Sequence, residues 1–273
     1  MELRATGFSV VDAIATITLS RPHRHNAWTG RMHTEYRHLL SVAEDDPAVR
    51  VIIVTGDPEG KAFCVGGDSE ALAGYVDKGG FDPGTPDPLA EPGFGVADEF
   101  DEMFVHQFGM TKPIIAAVNG SAAGVGLAVA CVADMRFFAS DGTYTCAHGR
   151  LGLAAEYGLA WMLPRLIGLT AATDLLISSR KFTGEEAAGL GLATAIAPRS
   201  EIDEVARTYA RELIASTSRA SVAQTKRLMY SDLHRSAADA VRDANLVLDE
   251  LTRDPDYAEG IAALRERRPP NFS

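Results

Sequence analysis

The sequence predicts an α/β fold followed by a helical C-terminal region, and three segments carry this prediction. Val49–Thr55 is a continuous run rich in β-branched residues, which is typical of a strand buried on both faces. Lys112–Ala133 begins as a short apolar strand, passes through a glycine-containing turn and continues with the apolar pattern of a helix. From Glu201 onward the pattern is helical only, so we expect a core over residues 1–198 and a helical region over 199–273.

The other predicted elements continue this alternation. Thr29–Ala43 places apolar residues on one face of a helix, and two strands are expected before it, at Phe8–Val11 and Ile14–Leu19. Helix followed by buried strand indicates α/β organisation. Later strands are predicted at Met135–Ala139, Thr143–Cys146 and Thr194–Ala197, and later helices at Asp98–Phe108, Thr170–Ser179 and about 201–215, 218–232, 236–252 and 254–266.

Composition bounds the function. The chain has 273 residues, 46% of them hydrophobic, and a net charge of −11, which argues against nucleic-acid binding because phosphate recognition needs a basic face. The three cysteines, Cys64, Cys131 and Cys146, form no CxxC pair and are expected to be buried free thiols in a reducing compartment. We see no secretory signal and no uninterrupted run of 18 apolar residues, so we expect a cytoplasmic protein that does not enter a membrane.

Several kinds of chemistry lack their sequence signatures. No HExxH pair or zinc-spaced Cys/His cluster occurs, so no metal site is predicted. The G-x-G-x-x-G fingerprint and the G-x-S-x-G nucleophile elbow are also missing, which disfavours dinucleotide binding and serine-hydrolase activity. No bound cofactor is expected.

Other segments allow two interpretations. The strand-to-helix turn within Lys112–Ala133 either exposes backbone N–H groups to an anion or oxyanion, or is simply a tight packing turn. Glu156 lies among small and apolar residues and is either a desolvated proton-transfer group or an acid at a helix start, which local sequence favours. Arg24 lies in a cationic loop that contacts phosphate or is solvated. Gly74–Ala97, rich in Gly, Pro and Asp, is a substrate flap or a disordered insertion.

Four segments together identify a family resemblance. They are Arg21 and Pro22 with Asn26 and Ala27; Lys61–Asp68; Lys112–Gly126; and Arg267–Phe272. Each segment alone is weak, but their order and spacing are specific. The chain resembles the enoyl-CoA hydratase/isomerase (crotonase) family over nearly its full length.

This resemblance implies a fold, a ligand and an assembly. The fold would be a spiral of ββα units with a C-terminal helical region that mediates trimerisation, and trimers would pair into hexamers. The substrate would be an acyl-CoA thioester, with its oxygen in an oxyanion hole formed by the N–H groups of Gly67 and Val125. Val125 stands where the family usually has the middle glycine of three. The residues at CoA-contact positions are Arg24, His25, Ala27, Ala62, Phe63, Val65 and Asp68.

The chain departs from the family's hydratases at both water-activating glutamates. Ala128 and His148 occupy those positions, whereas Glu156 falls where the resemblance places the single acid of Δ3-Δ2-enoyl-CoA isomerases. The expected activity is therefore double-bond isomerisation with Glu156 as general acid/base, and His148 would orient substrate or assist proton transfer. The alternatives are hydration or another enolate reaction on CoA esters, and a non-catalytic CoA-ester-binding subunit.

Overall fold

The computed structural model describes residues 1–79 and 96–273. Most of the predicted flap, Gly74–Ala97, therefore lies outside the described residues. Its first five residues belong to a helix, Ser69–Lys78, which the sequence did not predict. That helix begins at Asp68, whose carboxylate accepts a hydrogen bond from the Glu70 N–H at 2.9 Å, so the cap rather than periodicity defines its start.

A larger sheet forms the centre of the described structure. Its order is β1-β2-β3-β5-β7-β10, and it is parallel except for the antiparallel hairpin of β1 and β2. All six residues of β3 are buried, as its β-branched run predicted. The strands are β1 (Thr6–Val11), β2 (Ile14–Leu19), β3 (Val51–Gly56), β5 (Ile114–Val118), β7 (Met135–Ala139) and β10 (Ala195–Ala197).

A smaller sheet lies at the ends of these strands. Three times the chain leaves a strand of the larger sheet and enters one of the smaller: β3 to β4, β5 to β6, and β7 to β8. This repeated step is the spiral that the resemblance implied. The smaller sheet runs β4-β6-β8-β9, with β4 (Ala62–Cys64), β6 (Ser121–Ala123), β8 (Thr143–Thr145) and β9 (Phe182–Thr183).

Helices cover the sheets and form the C-terminal region. The four C-terminal helices agree with the predicted spans to within about two residues. The helices are α1 (Gly30–Asp45), α2 (Ser69–Lys78), α3 (Val125–Cys131), α4 (Leu159–Ser178), α5 (Gly184–Gly189), α6 (Ile202–Ser216), α7 (Arg219–Ser231), α8 (Ala237–Leu251) and α9 (Pro255–Glu266).

Two of the C-terminal helices pack directly on the core. Ile202, Ala206 and Ala210 of α6 lie in one apolar cluster with residues of the larger sheet. Lys226 of α7 is 2.9 Å from the Asp134 carboxylate, and both side chains are largely buried. The division at residue 198 stays a prediction, and it separates types of element rather than independent packing units.

Two predicted helices differ from the structure. Asp98–Phe108 is a series of turns followed by a 3-10 helix at Val105–Gly109, because Phe104 has φ of 64° and interrupts helical geometry. The helix predicted at Thr170–Ser179 begins eleven residues earlier, as α4, and is kinked at Gly168, where φ is 76° and ψ is 158°. By length and composition α4 could cross a membrane, but a single helix of this kind is weak support for a membrane protein.

Candidate active site

The Gly67 N–H is turned into a cleft by its pairing with Trp28. In this short parallel bridge, the Trp28 N–H donates to the Gly66 carbonyl and the Asp68 N–H donates to the Trp28 carbonyl, both at 2.8 Å. The residue between them, Gly67, therefore points its own N–H away from Trp28. Within the described chain this N–H donates to no other group. The turn also requires φ of +101° at Gly66, a conformation that favours glycine.

Val125 supplies the second free N–H because it is the first residue of α3. The first N–H groups of a helix have no intrahelical acceptor, and that of Val125 donates to no described residue. Gly126 allows α3 to start here, since a Cβ at this position would lie 2.2 Å from the Cys64 carbonyl oxygen of β4. The side chain at position 125 faces no such limit, which explains why valine fits there and a larger residue at 126 does not.

Both N–H groups belong to one cleft of about 590 Å³. α2 contributes one wall, the start of α3 contributes another, and the segment before α4 closes the third side. The lining residues are Val65, Gly66, Gly67, Leu72, Tyr75, Val76, Gly124, Val125, Ala147, His148, Arg150, Leu151, Leu153, Glu156 and Tyr157. The structure thus brings together four residues predicted from sequence: Gly67, Val125, His148 and Glu156.

Glu156 lies in this cleft and does not cap α4. The helix N-cap is Gly158, and the first turn of the helix holds no acidic residue. The Glu156 carboxylate accepts no hydrogen bond from the described residues. Burial raises the pKa of Glu156, and the nearby His148 opposes part of that rise. A carboxyl group that is half-buried and holds its proton more tightly than usual is suited to accept and return a proton near neutral pH.

His148 has one ring nitrogen fixed and the other unpartnered. Its Nε2 is 3.0 Å from the Leu176 carbonyl oxygen, so Nε2 must carry the hydrogen and donate it. Nδ1 is then an acceptor, and it is buried with no partner in the part of the chain that the structure describes. Ala128, at the other hydratase position, is fully buried in α3 and offers no polar group.

Asp68 organises the loop that the sequence assigned to CoA. It accepts hydrogen bonds from Arg21 Nη1 at 2.9 Å and from Arg24 Nε and Nη2 at 3.2 Å each. Burial alone would raise the pKa of Asp68, but hydrogen bonds from Arg21, the Glu70 N–H and Arg24 outweigh it and lower the pKa to about 2. Asp68 is therefore an ionised anchor for two arginines, and Arg24 remains partly exposed beside it.

The other predicted CoA contacts differ in accessibility. The Phe63 side chain is fully buried, so only its backbone is available to a ligand, and Ala27 and Ala62 are also buried. Val65 is exposed and lines the cleft. His25 is exposed, and its Nδ1 lies 2.8 Å from the Gly60 carbonyl oxygen.

Sequence reasoning missed the aromatic part of the site. Tyr75 and Tyr157 line the cleft, and Tyr157 follows Glu156 with φ of 55°. Burial, Glu156 and Tyr75 all raise the pKa of Tyr157. Only the adjacency of Tyr157 to Glu156 could have drawn attention to it. Among residues 1–79 and 96–273, no three His, Cys, Asp or Glu side chains are grouped to hold a metal ion.

Known proteins match this fold and site over the whole chain. The enoyl-CoA hydratase/isomerase family profile matches residues 10–273. The chain is 31% identical over 267 residues to the probable enoyl-CoA hydratase EchA12 of Mycobacterium tuberculosis, covering 95% of this chain and 89% of that protein. It is 28% identical over 265 residues to the 1,2-epoxyphenylacetyl-CoA isomerase of Escherichia coli, covering 97% and 96%.

A solved structure gives the same result. The crystal structure of a probable enoyl-CoA hydratase/isomerase from Mycobacterium abscessus superposes with a TM-score of 0.84 at 30% identity and covers 98% of both chains. The resemblance seen in the motifs, and the crotonase-like fold that it implied, are confirmed. The chain belongs to the enoyl-CoA hydratase/isomerase family, whose enzymes act on CoA esters.

Proposed function

We propose that this protein isomerises the double bond of an enoyl-CoA thioester, with Glu156 as the general acid/base. One observation carries the proposal: among the described residues lining the cleft that holds the Gly67 and Val125 N–H groups, Glu156 is the only carboxylate. Its raised pKa keeps both protonation states within reach near neutral pH.

The reaction needs one base and two donors. In a 3-enoyl-CoA, Glu156 takes a proton from C2, and the C–H electron pair delocalises into a dienolate whose charge rests on the thioester oxygen. The Gly67 and Val125 N–H groups stabilise that charge, and one such donor is worth about 3–4 kcal/mol in known enzymes. Glu156 then returns the proton at C4, which gives the 2-enoyl-CoA with no net oxidation or gain of water.

Hydration is less well supported by these residues. It requires groups that hold and activate a water molecule, and Ala128 is apolar and fully buried where the first such group would stand. The relative from Escherichia coli is named an isomerase, which supports isomerisation. The relative from Mycobacterium tuberculosis is named a hydratase, so hydration must be measured alongside.

Substrate binding and assembly complete the proposal. Arg24, about one third exposed and held by Asp68, is placed to meet a CoA phosphate, and no resident cofactor is required. Large apolar side chains are exposed on the last two helices, Leu246 and Leu248 on α8 and Leu264 on α9, which supports a homotrimer or a hexamer. The three buried thiols suit a cytoplasmic location.

Glu156→Gln tests the proposal directly. With a 3-enoyl-CoA, we expect the variant to lose about 10²–10⁴-fold in kcat while binding a saturated acyl-CoA almost as tightly as the wild type. Glu185→Gln, which changes an exposed glutamate on α5, is the matched control and should behave like the wild type. Turnover close to wild type in Glu156→Gln would refute the role of Glu156.

The same panel separates the alternatives. Adding crotonyl-CoA and following the absorbance of the enoyl thioester detects hydration as a prompt loss of signal. If 2-enoyl-, 3-enoyl- and branched acyl-CoAs all bind and none is converted, as shown by mass spectrometry of the products, the protein is a CoA-ester-binding subunit rather than an isomerase.

A further inference from the structure

A small second pocket opens from the cleft beside the two N–H donors. It measures about 40 Å³ and shares Gly67, Leu72, Tyr75, Val125 and Tyr157 with the larger cleft. Because Gly67 and Val125 belong to both, a group lying in the small pocket is adjacent to a thioester carbonyl held by the donors. The pocket is therefore placed to receive the acyl group.

Aromatic rings form most of the pocket wall. Trp28 and Phe104 have ring centroids 5.7 Å apart, and His33 and Phe104 are in edge contact at 5.4 Å. Phe104 also meets Tyr157 edge-to-face at 5.1 Å. Such arrangements are favoured by the charge distribution of aromatic rings, and they leave ring faces and edges that complement another ring.

Two of these walls are held in unfavourable backbone conformations. Phe104 has φ of 64° and ψ of −45°, and Tyr157 has φ of 55°. Bulky residues rarely adopt positive φ, and such positions persist only where the surroundings impose them, often at ligand sites. The two rings are in contact with each other, so the strain is confined to one wall of the pocket.

We propose that this pocket selects acyl-CoA thioesters whose acyl group carries a planar aromatic ring close to the carbonyl. A flat ring can lie edge-on or face-on to Phe104, Trp28 and Tyr157, whereas a puckered ring of equal carbon number cannot match those faces. This inference rests on the proposed function only in placing the thioester carbonyl at the Gly67 and Val125 N–H groups.

Binding of saturated thioesters that cannot isomerise tests the inference. Isothermal titration calorimetry should show that phenylacetyl-CoA binds the full-length protein about ten-fold more tightly than cyclohexylacetyl-CoA, in line with the gain expected from a few aromatic contacts. In Phe104→Leu that ratio should fall towards one while acetyl-CoA affinity stays unchanged. Phe272→Leu, which alters a phenylalanine near the C-terminus, should keep the wild-type ratio.

Tyr157→Phe guards against loss of folding. It keeps the ring, and it should keep the ten-fold preference even if Phe104→Leu proves unstable in thermal denaturation. Equal affinities of the wild type for the two thioesters would overturn the inference, as would an unchanged preference in a folded Phe104→Leu protein. Neither result depends on Glu156, so failure of the proposed isomerisation and failure of this ring selectivity can be told apart.

Discussion

Replacing Asp68 by asparagine should destabilise the protein and do so in a pH-dependent way. The Asp68 side chain is only 3% exposed and accepts hydrogen bonds from two guanidinium groups and from the N–H of Glu70. Asparagine keeps the size of the side chain and one acceptor oxygen. It removes the negative charge, which leaves Arg21 and Arg24 without their shared partner.

The pKa of Asp68 gives the magnitude. A carboxyl whose pKa is about 2 in the folded protein, against an ordinary value near 4, contributes about 2.5 kcal/mol to stability at neutral pH. Because the folded-state pKa is the lower one, this contribution is complete above about pH 5 and is lost as the pH falls through the folded-state pKa. About half of it remains at pH 3.

Urea denaturation of wild type and Asp68→Asn, from pH 7 down to pH 3, measures this contribution. We expect a loss of about 2–3 kcal/mol at pH 7 and about half of that at pH 3. The control is Asp174→Asn, because Asp174 pairs with Arg180 at 2.7 Å on the surface and such pairs contribute about 0–1 kcal/mol. A difference that matches the control, or that does not change with pH, would contradict the assigned role of Asp68.

Three further outcomes follow from the structure. Burial raises the pKa of Glu156, so kcat/KM with a 3-enoyl-CoA should fall with decreasing pH at a higher pH than an ordinary carboxyl would give. Gly126→Ala should lower both the melting temperature and kcat, since its Cβ would lie 2.2 Å from a strand carbonyl oxygen, whereas Gly189→Ala, in open space, should do neither. Asp134→Ala should cost about 3–5 kcal/mol in urea denaturation, because it leaves Lys226 buried without its charged partner.

Long-period patterns predicted most of the fold, and local backbone geometry accounts for the misses. The spacing of Phe100, Phe104 and Phe108 is that of one helix face, and all three side chains are indeed buried. The backbone nevertheless reverses at Phe104, because the aromatic pocket fixes that residue at positive φ. Helix α2 was missed because Asp68 and its cap define it, and no strong apolar period does.

The site was predictable where a motif dictates backbone geometry. Gly67 and Val125 are found together because one ends a bridge and the other begins a helix, and both features are visible in the glycine pattern. Glu156 could not be chosen from local sequence, which favoured a helix cap. Only the fold shows that its carboxylate lies in the cleft rather than on the end of α4.

The substitution at position 125 links the charge-stabilising and the selective parts of the site. A backbone N–H does not depend on the side chain, so valine can replace a glycine without loss of the donor. Val125 lines both the cleft and the aromatic pocket, and its side chain is nearly fully buried. The same residue therefore donates to the thioester oxygen and narrows the space available to the acyl group. With Ala128 removing a second acid one turn further on, the start of α3 restricts both the chemistry and the substrate, and proton transfer is left to Glu156.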